Sequence, residues 1–151
     1  MTTEIILGAG ILPALKQFVM ATKLHPILVN FTSALVPVSV ASDFLGRFCA
    51  RESFRSTGWW TLFYATMITP FTAITGWLFW MPDDNGAHGM AIHKWLGSAL
   101  AVLLFGLFAW RLQIYRQAQS PTGAYFLFGA IFIAALVYQG YLGGTQVFSG
   151  M

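Results

Sequence analysis

KLHPILVNFTSALVPVSVASDFLGR, residues 23–47, decides which solvent this chain is folded for. Between Lys23 and Arg47 the only carboxylate is Asp43, and from Pro26 to Ser42 the run is apolar or uncharged. About 20 such residues, rising 1.5 Å each, cross a hydrocarbon core of about 30 Å. Three further stretches follow the same rule, giving expected membrane spans at 25–46, 58–81, 92–115 and 123–146.

Composition agrees with that reading. The chain is 57% hydrophobic and 9% charged, with a mean hydropathy of +0.67. A soluble domain carries about 25% charged residues, so this chain lacks the polar surface to stay dissolved. The net charge of +3 comes from eight Lys/Arg against five Asp/Glu. No basic block occurs, which excludes a nucleic-acid stripe and fits loops facing anionic headgroups. The single cysteine, Cys49, rules out an intrachain disulfide, a CxxCH haem attachment and a four-cysteine cluster. No Ser–His–Asp set, phosphate loop or paired carboxylates occur, so hydrolase, kinase and glycosidase chemistry are set aside.

The connections RFCARESFRSTG, PDDNGAHG and RQAQSPTG are short and rich in charges and turn formers. Short links make consecutive spans antiparallel, so the expected fold is all-α: an integral membrane up-down four-helix bundle over residues 23–151. Residues 1–22 form a separate N-terminal segment. Its apolar part, interrupted by Pro13, is expected to lie in the interface as a helix over 11–20. No sequence repeat and no second domain are visible. Pro37 and Pro70 are expected to kink their spans.

Arg47, Arg51 and Arg55 follow span one, and Arg111 and Arg116 lie at the far end of span three, whereas Lys16, Lys23 and Lys94 fall at the other side. That bias predicts cytoplasmic arginine loops and both termini on the outer, periplasmic side of a bacterial inner membrane. Trp77, Trp80 and Trp95 would mark the outer boundary, and Trp59, Trp60 and Trp110 the inner one.

All three histidines lie at the outer end. His25 opens span one, and His93 opens span three, which runs in the same direction, so the two rings are expected at one depth. Neutral imidazole suits haem iron, zinc and copper. Two histidines on separate helices, one on each side of a slot, form the arrangement a b-type haem uses. Gly76, Gly97, Gly140 and Gly143 lie at about the same level and would make room beside a macrocycle. Equally, these glycines suit close helix packing, and a histidine before Pro26 can simply meet water and headgroups. His88 is five positions from His93, about 140° around a helix; it is expected in the loop and stands as an alternative ligand. With Met81, Met90 and His93 it could instead form a copper site. Asp43 is expected to pair with Arg47 one turn on.

The chain resembles the bacterial four-helix membrane proteins filed as domain of unknown function 2231. The resemblance rests on HPILVNF (25–31) with Asp43, on Gly76–Trp77, on HGMAIH (88–93) and on GYLGGTQVFSG (140–150). It covers roughly residues 24–150. It implies four membrane helices, frequent association with electron-transfer proteins, and outward histidines that serve as b-haem ligands. His25 matches the family's His–Pro pair and His93 the histidine that opens span three. Asn30 and Ser149 stand where the family commonly has further histidines, so a second metal centre is not expected here.

The functional expectation is a membrane b-type cytochrome. One haem b would be held by His25 and His93 in an electron-transfer subunit served by another membrane or periplasmic redox subunit, cytochrome c or quinone. The alternatives are a cofactor-free membrane anchor or assembly subunit and a copper-handling membrane protein.

Overall fold

Four helices long and apolar enough to cross a membrane follow one another in a computed structural model that describes residues 2–79 and 88–148. The elements are α1 (Thr2–Ala21), α2 (Leu24–Phe48), α3 (Glu52–Phe79), α4 (His88–Arg116) and α5 (Gly123–Phe148). Among the described residues there is no strand. The expected spans are found, and α2 and α3 run a little beyond them where polar residues continue the helix. Trp80, Met81 and Ser149, to which the sequence reading gave places, lie outside the described residues.

Local chemistry explains the boundaries. Lys23 takes a left-handed backbone (φ 51°), which ends α1 and starts α2. Ala50 (φ 52°) does the same between α2 and α3, and Ala118 (φ 52°) follows α4. At Ala118 the amide bonds to the Tyr115 carbonyl, and the Gln119 amide reaches back to Ile114. That pair of bonds is a Schellman turn built without the glycine such turns favour. Pro37 and Pro70 lie inside unbroken helices.

Around the bundle, α2 packs on α3, α3 on α4, α4 on α5 and α5 back on α2. This closed order is the up-down topology expected of short links. The diagonal partners α2 and α4 share no backbone contact among the described residues, so whatever joins them does so through side chains. The apolar centre is built from Val36, Leu62, Leu100, Leu104, Leu107 and Phe132. Large apolar side chains also cover the outside: Val102 is 71% exposed, Val137 68% and Leu127 64%. A surface of that kind is at rest only in lipid. The chain is a multi-pass membrane protein whose outer face meets the bilayer.

The N-terminal helix α1 is longer than expected, beginning at Thr2 rather than near residue 11. It packs against α2 and α3 and buries Val19.

A repeat invisible to the eye in the sequence emerges in three dimensions. His25 meets the Thr72 carbonyl and faces Gly76; His93 meets the Gln139 carbonyl and faces Gly143. The hairpins α2–α3 and α4–α5 therefore carry the same device. The residues correspond at offsets of 68 on the first helix and 67 on the second, as in parallel repeats related by an axis along the membrane normal.

Candidate functional site

His25 and His93 stand beside each other at one end of the bundle. Their ring centroids are 6.4 Å apart and the ring planes are nearly perpendicular, at 87°. Parallel α2 and α4 bring this about, since each histidine lies in the opening turns of its helix. Both rings are half-buried, and Phe79 stands next to His25 with 6.2 Å between centroids.

Each ring is oriented from behind. His25 Nδ1 lies 3.0 Å from the Thr72 carbonyl oxygen, and His93 Nδ1 lies 3.1 Å from that of Gln139. A carbonyl only accepts, so Nδ1 carries the proton in both rings and donates it. Nε2 is then the free lone pair, and neither Nε2 has a hydrogen-bond partner among the described residues. This is how proteins fix the tautomer of a metal-binding imidazole. Thr75 Oγ1, 3.4 Å from His25 Nδ1, adds a weaker polar contact on the same side.

Glycine makes these approaches possible. A Cβ on Gly76 would sit 2.8 Å from His25 Cε1, and one on Gly143 would sit 2.8 Å from His93 Cε1. Gly97 acts at one remove. Its Cβ would strike Gln139 Nε2 at 2.7 Å, the atom that donates to the His93 backbone carbonyl at 2.8 Å. Gly140 differs from the expectation: it is exposed, and a Cβ there would meet nothing within 4 Å. It lies on another face of α5 because three residues turn the helix by about 300°. His88 is also placed differently. Rather than sitting in the loop it begins α4, so it shares a helix with His93 and the 140° between them keeps both from one slot; its side chain lies outside the described residues.

Chemically, the pair offers two imidazole nitrogen donors from two separate helices. Among the described residues no three His, Cys, Asp or Glu gather. A bare zinc ion wants three or four protein ligands, whereas a metal that brings its own in-plane ligands needs two. Two metal–nitrogen bonds of about 2 Å, with the ring radii added, put the centroids roughly 6 Å apart. The observed centroid spacing of 6.4 Å is of that size. The rim above holds Lys94 Nζ 3.9 Å over the Trp77 ring, with Trp77 Nε1 donating to Ser98.

Sequence reasoning missed a second polar cluster at the far end. Asp43 does not pair with Arg47. Arg111 donates to it twice, from Nε at 2.7 Å and Nη2 at 2.9 Å, and the Tyr125 hydroxyl donates at 3.1 Å. Asp43 and Tyr125 are fully buried and Arg111 nearly so. Arg47 instead ties down the α4–α5 turn by donating to the Pro121 carbonyl. Asp43 sits on the core face of α2, which a partner across the bundle reaches and Arg47, near the helix end, does not. An arginine inside an apolar span was the available signal.

Comparison with known proteins gives one match. The family model described as predicted membrane protein (DUF2231) fits residues 21–150, and the chain belongs to that family. No curated protein and no solved structure matches it.

Proposed function

We propose that this member of the predicted membrane protein family DUF2231 is a membrane b-type cytochrome, an electron-transfer subunit with His25 and His93 as the axial ligands of one haem b. The observation that carries the reading is the level imidazole pair, 6.4 Å apart, with each Nδ1 committed to a backbone carbonyl. When bound, such a group supplies a reversible one-electron couple. The chain's own residues do the rest. Thr72 and Gln139 hold the rings in the tautomer that leaves Nε2 as donor. Gly76 and Gly143 let the neighbouring helices close against the rings. A haem held by both imidazoles would supply electron transfer rather than oxygen chemistry.

In this reading the histidine end faces the periplasm across a bacterial inner membrane, where a soluble redox protein or a membrane quinone exchanges electrons with it. The arginine-rich links at the other end support that orientation. α1 lies along the outer interface. Cys49, exposed beyond α2, reports on the orientation: a membrane-impermeant maleimide should leave it unlabelled in intact cells and label it after lysis.

A visible spectrum tests the central claim. Purified protein should show a Soret band and a sharp reduced α-band. His25→Ala and His93→Ala should each abolish both, while His88→Ala should leave them. Full haem occupancy in His25→Ala, or a colourless wild-type preparation from haem-replete cells, would overturn the assignment and favour a cofactor-free anchor.

A further inference from the structure

His25 and Asp43 are 18 positions apart on α2, and His93 and Arg111 are 18 apart on α4. Eighteen residues are five turns, about 27 Å, so on each helix the histidine and the charged residue share one face. The diagonal helices α2 and α4 have no described backbone contact. They meet through two bridges: the imidazole pair at one end and the Asp43–Arg111 pair at the other.

We propose that the Asp43–Arg111 bridge is the register lock of the histidine pair, the device that keeps α2 and α4 level so that the two rings stay opposite each other. Apolar packing between helices in lipid is tolerant of sliding, because the tails are as apolar as the side chains. A two-pronged guanidinium–carboxylate contact is not tolerant: both bonds hold in one relative position of the two helices. In some proteins buried ion pairs add little net stability yet set register. The surroundings are cut to this contact. A Cβ on Gly58 would lie 2.5 Å from Asp43 Oδ1, so α3 leaves room for the carboxylate and nothing more. The Tyr125 hydroxyl from α5 donates to Asp43 Oδ2 beside Arg111 Nε, and Arg111 Cζ lies 5.9 Å from the Trp59 ring centroid. All four spanning helices thus hold the lock, and equal spacing carries its setting to the rings. The lock rests on the juxtaposition of the two histidines, not on what they bind.

The test reads register without a cofactor. In a Cys49→Ser background, His25→Cys with His93→Cys is treated with a short bis-thiosulfonate reagent. Intact mass separates one bridging spacer from two single adducts. A control chain carries His25→Cys with Thr75→Cys, a pair within one hairpin. Adding Asp43→Leu with Arg111→Met replaces the lock by apolar side chains. Bridging of 25 to 93 should then slow roughly tenfold, as a displacement of an ångström or more demands, while bridging of 25 to 75 persists. An unchanged 25-to-93 rate overturns the proposal. Loss of both bridges also overturns it, since the pair would then be a general folding requirement. Should the apolar pair yield no protein, Asp43→Asn with Arg111→Gln, uncharged and too short to reform the two-pronged contact, is judged by the same rule. A colourless protein that passes this test refutes the cytochrome and leaves the lock standing.

Discussion

Gly143→Ala is the sharpest single-atom probe of the histidine site. The added methyl would lie 2.8 Å from His93 Cε1 and 3.3 Å from Nδ1. Comfortable carbon–carbon contact begins at about 3.5 Å, so the ring must retreat by roughly 0.7 Å. It cannot do so freely, because Nδ1 is held by the Gln139 carbonyl at 3.1 Å. Metal–nitrogen bonds tolerate about 0.2 Å, well under the enforced shift. Overpacking of this kind costs about 1–3 kcal/mol, which at 1.4 kcal/mol per decade is about five- to 140-fold in affinity. The assay is haem titration into the apoprotein in detergent, followed at the Soret band. Gly140→Ala, three residues away on the same helix, is the control. Its Cβ enters open space, so it should bind as the parent does and gain up to about 1 kcal/mol of helix propensity. Equal haem affinity in the two variants would refute the claim that His93, as positioned here, is a ligand.

Two further variants probe the scaffold. Gly58→Ala drives a methyl to 2.5 Å from Asp43 Oδ1 and 3.1 Å from its backbone nitrogen; by splitting the ion pair it should destabilise the bundle by about 3 kcal/mol, read as a lower unfolding midpoint in denaturing detergent, and an unchanged midpoint would contradict it. Ala118→Gly relieves a left-handed residue (φ 52°) and should stabilise the fold by about 1 kcal/mol, raising the melting temperature by about 2–4 °C; no rise would mean that the turn bears no strain.

The membrane architecture was legible because it follows from length and apolarity, which single residues carry. The level placement of His25 and His93 was legible too, since two parallel spans opening with histidine have one geometric consequence. The backbone carbonyls behind the rings were not, because Thr72 and Gln139 contribute main-chain atoms that any residue type would supply. Asp43 was misread for a related reason. A partner four residues along the same helix is visible in a sequence, whereas one 68 positions away is found only when the diagonal of the bundle is known. The repeat escaped notice because few side-chain types are shared between its halves: His25 matches His93 and Gly76 matches Gly143, but Asp43 corresponds to Arg111 and Thr72 to Gln139.

That correspondence bears on how the bundle assembles. Asp43 belongs to one hairpin and Arg111 to the other, so each hairpin alone would carry an unneutralised charge inside its apolar span. A lone charge costs about 2.5–3.5 kcal/mol at a helix centre and less towards the end, where Asp43 and Arg111 lie. Lipid offers no hydrophobic drive to bring helices together; a split charge does, since joining the hairpins relieves both penalties at once. The repeat has thus been broken at one end into opposite charges that attract and kept at the other as like imidazoles. Two imidazoles with bare Nε2 atoms have little attraction for each other. On the proposed reading, the Asp43–Arg111 contact at the far end is what keeps the two rings opposite each other.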